Sequence, residues 1–145
     1  MEEEYCDECE PDLSTIDLDK IAPPTRDVPS LLILITHGTY GYIDDVLGSI
    51  YVGNAAIAKQ QKATIILMGD GVYCAVKHQN PEDIHLPNNL EIISDFLELQ
   101  GTLYALKSSL EKRGLSIEDL IDGVKLIENR ELVKEIENHN LILTF

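Results

Sequence analysis

Residues 31–37 read LLILITH, five aliphatic side chains in a row closed by Thr36 and His37. So short a run with no wet face marks a strand buried on both sides, and such strands belong to parallel sheets covered by helices. ATIILMG (63–69) repeats the pattern, and residues 43–60 between the two can form the crossover helix that parallel neighbours need. Beyond them, a turn with Asp70 and Gly71 leads into a short helix around VYCAVK, and HQNPEDIHLP (78–87) is a loop. Leu90, Ile93 and Leu97, with Ile92 and Phe96 beside them, mark an amphipathic helix. TLYAL (102–106), GVKLI (123–127) and LILTF (141–145) supply three more strands, with a helix from Glu131 to His139 before the last. Ser108 and Glu111 have capping-box spacing, Gly114 suits the end of that short helix, and Ser116 suits the cap of another turn. Alternating strands and helices predict an α/β fold, a three-layer α/β/α arrangement with a mainly parallel five-stranded sheet.

The 145 residues suit one such domain, and the apolar content is largely aliphatic, with no Trp. Charge is uneven. Of the net −15, residues 1–27 hold −8, from ten acids against Lys20 and Arg26. Residues 1–29 also contain four prolines and no sustained apolar period, so they are expected to form an acidic, flexible N-terminal arm ahead of a folded domain over 30–145. Phosphate backbones repel such a surface, which argues against direct nucleic-acid binding. No apolar run is long enough to span a bilayer, and the start MEEEYCDECE is the opposite of a basic signal-peptide region. The expected location is the cytoplasm, with no membrane association, where three cysteines are thiols rather than a disulfide framework.

The helix at 43–60 lacks an obvious wet face. Ile43, Val46, Leu47, Ile50 and Ile57 form its apolar stripe, while Gly48, Val52, Ala55 and Ala56 fall on the opposite side. A surface helix normally exposes more charge, so this second face is expected to pack against another subunit; the alternative is that the acidic arm or the 78–87 loop covers it.

Cys74 is the most informative thiol. It follows a buried strand, at the sheet edge where open parallel sheets place functional groups. Helical spacing points it away from Val72, Ala75 and Val76, with Lys77 one turn on. A helix start and a nearby ammonium favour thiolate, whereas Asp70 opposes it. Cys74 is therefore either a packing residue or a reactive thiol. Cys6 and Cys9 form a CxxC among six carboxylates, which raise thiol pKa values. The pair is either a thiol pair without function or two ligands of a metal shared between subunits. His37, Tyr40, Asp70 and Lys77 are candidates for a pocket at the strand ends, which gives a small-ligand-binding homo-oligomer as a further alternative. GTYGY is not GxGxxG and no Walker pattern occurs, so no cofactor is expected.

Four landmarks in register, ITHGTYG, GDGV, SLEKRGL and the terminal LILTF, resemble the DsrF/TusC branch of the DsrE/DsrF/DsrH (TusBCD-like) sulfur-relay family over residues 30–145. The resemblance implies a DsrEFH-like α/β/α domain and hetero-oligomers with DsrE/TusD-like and DsrH/TusB-like paralogues. It also implies passage of persulfide sulfur toward tRNA 2-thiolation or dissimilatory sulfur metabolism. The family's catalytic paralogue carries its sulfur-accepting cysteine just before an arginine-glycine turn. Here that region reads LKSSLEKRG, with Leu106, Ser108 and Ser109 and no thiol. The expectation is a structural subunit of a sulfurtransferase complex, not catalytic by itself; the rival is a thiol carrier using Cys74.

Overall fold

Ser30–Ile35 (β1), Lys62–Leu67 (β2), Thr102–Leu106 (β3), Lys125–Ile127 (β4) and Leu141–Thr144 (β5) form one sheet in the order β4-β3-β2-β1-β5. All four pairings are parallel, with Leu31 level with both Ala63 and Leu141. The computed structural model describes residues 29–41 and 43–145; Cys6, Cys9 and most of the expected arm lie outside the described residues.

The unbroken aliphatic runs fill both faces, as a doubly covered sheet requires. On one face Leu31, Ile33, Ile35, Ile65, Leu67 and Leu103 pack into the main core with Ile50 of α1 (Ile43–Ala58) and Phe96 of α2 (Asn89–Glu98). On the other, Leu32, Ile66, Leu106 and Ile127 form a smaller core against Leu132 of α4 (Asn129–Asn138). Each such side chain taken out of water contributes about 2 kcal/mol before entropy is charged. His139, just past α4, ties that helix to the sheet: its Nδ1 lies 2.6 Å from the Glu135 carbonyl and its Nε2 3.1 Å from Thr64 Oγ1.

Several local expectations need correction. The short helix α3 spans Lys107–Glu111 and begins directly from β3, with Leu106 at its cap position. Ser108 therefore lies inside it and forms no capping box. Gly114, at φ +65°, does end that helix's turn. Glu128 and Glu131 supply a capping box for α4 instead. β4 starts two residues late, because Gly123 sits at φ +95°, outside the strand region. The segment after β2 is a 3-10 turn, Gly69–Ala75, rather than an α-helix. In α1, Val46 and Ile50 are buried and Val52 and Ala55 exposed, as expected, but Ala56 belongs to the main core.

Candidate functional site

The loops after β1 and β2 meet at the C-terminal edge of the sheet. Their contact depends on Gly71: a Cβ there would lie 2.0 Å from the carbonyl oxygen of Ile35. The loop after β2 is also held from α3 and the turn that follows it. Gly69 N donates to Ser109 Oγ at 3.0 Å, and Arg113 donates from Nε (3.0 Å) and Nη2 (2.8 Å) to one carboxylate oxygen of Asp70. Arg113 Nη1 also reaches the Ser109 carbonyl at 3.0 Å.

An open notch of about 380 Å³ remains between the loops, lined by Gly38, Thr39, Tyr40, Gly41, Asp70 and Tyr73. Tyr40 donates toward Gln79 Oε1 (2.7 Å) and Asn89 Oδ1 (3.1 Å). Asn89, fully buried at the start of α2, donates its amide to the Cys74 carbonyl at 2.5 Å. Gln79 donates to the carbonyls of Tyr73, Cys74 and Val76. Partial burial, then the proximity of Cys74, pushes the Tyr40 phenol up from its ordinary pKa.

Of the four pocket candidates, the structure brings Tyr40 and Asp70 together in the notch. His37 is exposed beside it, with Nδ1 3.1 Å from Thr36 Oγ1, and does not line it. Lys77 lies elsewhere, donating to the Glu118 carbonyl at 3.1 Å and 3.9 Å from Asp122. The outward orientation expected for Cys74 is overturned. The tighter 3-10 turn rotates it inward, so Cys74 is fully buried in the main core while Tyr73 faces out. Its thiol lies 3.5 Å from the His37 carbonyl, and burial raises its pKa, opposed only in part by the Thr39 hydroxyl. A thiol held neutral in an apolar core is a poor nucleophile.

A second groove, about 320 Å³, opens where β3 and β4 end, between Lys107, Ser108, Glu111, Glu128, Asn129 and Arg130. It adjoins the LKSSLEKRG segment. There Leu106 is 5% exposed, Ser109 is buried on Gly69, and Lys107 pairs with Glu128 at 3.3 Å. Among the described residues no group of three or more His, Cys, Asp or Glu is placed to hold a metal, and no helix is long and apolar enough to cross a membrane. Sequence reasoning did not assign Arg113, Asn89, Gln79 or Ser109 to the edge. Ser109 and Arg113 carried a signal, as part of SLEKRGL.

A family model described as the DsrE/DsrF-like family matches residues 30–145. An uncharacterised protein of Methanocaldococcus jannaschii is 30% identical over 113 residues, covering 78% of this chain and 96% of that protein. The protein TusC of Buchnera aphidicola is 31% identical over 88 residues, 59% of this chain and 73% of TusC. Among solved structures, the ychN protein from E. coli superimposes with a TM-score of 0.73 at 22% identity, over 81% of this chain and 99% of that one. The shared architecture is the five-stranded parallel sheet with its flanking helices.

Proposed function

The chain belongs to the DsrE/DsrF-like family, and we propose that it serves as a non-catalytic partner subunit of a cytoplasmic sulfur-relay complex. It would assemble with DsrE/TusD-like and DsrH/TusB-like paralogues that pass persulfide sulfur toward tRNA 2-thiolation or dissimilatory sulfur metabolism. One observation carries this reading. Where the catalytic paralogue places its carrier cysteine, this chain has the buried Leu106 followed by Ser108 and Ser109. An aliphatic or hydroxyl side chain cannot hold a persulfide. The competing carrier, Cys74, is enclosed in the core with its thiol neutral, and attack by a thiol requires the thiolate and access.

The test is co-expression with DsrE-like and DsrH-like paralogues from the same genome, followed by sulfur delivery from a persulfide donor to an acceptor. The complex should form, and delivery should survive Cys74→Ser. Failure to co-assemble, or a loss of about a hundredfold on that substitution with assembly intact (roughly 2.7 kcal/mol of barrier), would contradict the proposal.

A further inference from the structure

Among the described residues nothing covers the outward stripe of α1, and its residues are arranged symmetrically along the helix. Asp44, Gly48, Tyr51, Val52, Ala55 and Lys59 fall within roughly a third of the helix circumference. Tyr51 is 58% and Val52 42% exposed, and Asp44, Ala55 and Lys59 are exposed too. Lys59 still belongs to the helical path, since its N–H reaches the Ala55 carbonyl at 3.2 Å. Packing among the described residues does not explain Gly48, because a Cβ built there meets nothing within 4 Å. Glycine weakens a helix interior, so an unforced glycine beside exposed aromatic and aliphatic side chains points to close approach by a second backbone.

We propose that α1 packs against α1 of a second copy of this chain, antiparallel, about a two-fold axis between Tyr51 and Val52. Residues equidistant from that midpoint are complementary. Asp44 meets the partner copy's Lys59, Gly48 meets Ala55, and Tyr51 meets Val52, and each contact occurs twice, as an isologous interface requires. Small residues at two positions let the helix axes approach, and the antiparallel arrangement sets each helix N-terminus beside the other's C-terminus. The choice of a copy rests on charge. A chain of net −15 repels itself over most orientations, whereas this register places acid on base at both ends of an otherwise uncharged stripe. The contact is homotypic and does not depend on the relay paralogues.

Sedimentation velocity of the full chain, from low to high micromolar concentration, tests this. The wild type should show a monomer–dimer equilibrium. Ala55→Glu should leave only monomer, and Lys59→Glu should raise the dissociation constant about tenfold or more, by setting two like-charge pairs in the dimer. Asp44→Lys combined with Lys59→Glu should return the constant to near the wild-type value, because the pairs are then swapped across the axis. All these positions are exposed, and far-ultraviolet circular dichroism checks that each variant keeps its fold. A wild type monomeric throughout, a dimer indifferent to Ala55→Glu, or a double reversal that fails to restore association would each overturn the proposal.

Discussion

Arg113 closes its guanidinium on Asp70 through two N–H groups that share one carboxylate oxygen, at 3.0 and 2.8 Å. The pair joins the loop after β2 to the end of α3, and its third N–H holds the Ser109 carbonyl. Asp70 is largely exposed, so Asp70→Asn should cost only up to about 1 kcal/mol. Arg113→Ala also removes a charge-assisted bond to a half-buried carbonyl and should cost about 1–2 kcal/mol. Urea unfolding measures both. An Arg113→Ala chain as stable as wild type would show that the pair does not hold the edge together.

Among the described glycines, Gly71 leaves the least room for a side chain. An alanine Cβ would stand 2.0 Å from the Ile35 carbonyl oxygen, backbone against backbone, so no flexible side chain can yield. Gly71→Ala should destabilise by about 3 kcal/mol or more, in the range reserved for backbone collisions and core damage. A thermal midpoint within a few degrees of wild type would mean that the two loops do not meet as described.

Cys74 should be silent in the folded chain. Alkylation at neutral pH should be slow until denaturant is added. Burial raises the folded-state pKa above the ordinary thiol value. The unfolded thiol therefore ionises first as pH rises, and the folded state retains the proton longer. The sign follows: this contribution is complete below about pH 8.5 and falls above it, by at most about 1.4 kcal/mol per pH unit. Cys74→Ala should flatten the stability–pH curve between about pH 8.5 and 10 relative to wild type. An unchanged slope would place the thiol in water.

His139 and Thr64 test the smaller core. The Glu135 carbonyl can only accept, so Nδ1 donates to it, and Nε2 is within hydrogen-bond distance of the Thr64 hydroxyl. Thr64→Val keeps the shape but leaves Nε2 without this partner, an expected loss of about 1–3 kcal/mol. A valine variant of wild-type stability would show that α4 is held by apolar contacts alone.

The sheet was legible because LLILITH, ATIILMG and TLYAL are apolar on both faces, a pattern that tertiary context reinforces. Burial was less legible where handedness or pitch decides it. Cys74 faces inward because the turn after β2 is 3-10 and not α, and no residue of GDGVYCA announces that tighter pitch. Ala56 was assigned to the outer face of α1, yet it is buried beside the sheet at the helix's C-terminal end. Local spacing placed Tyr40 and Asp70 at the edge correctly, since both lie within a few residues of strand ends. It could not pair Asp70 with Arg113, 43 positions away, or bring Asn89 under Tyr40, because those contacts depend on how separate elements pack.

Whether this subunit itself carries sulfur can be read by intact-protein mass spectrometry. The co-expressed complex is loaded from a persulfide donor and its subunits are separated without reductant. Added sulfur should appear on the DsrE-like paralogue and not on this chain, whose Cys6, Cys9 and Cys74 should all remain unmodified thiols. Stoichiometric added sulfur on this chain, mapped to Cys74 or to the Cys6/Cys9 pair and lost with the corresponding substitution, would contradict the proposed non-catalytic role.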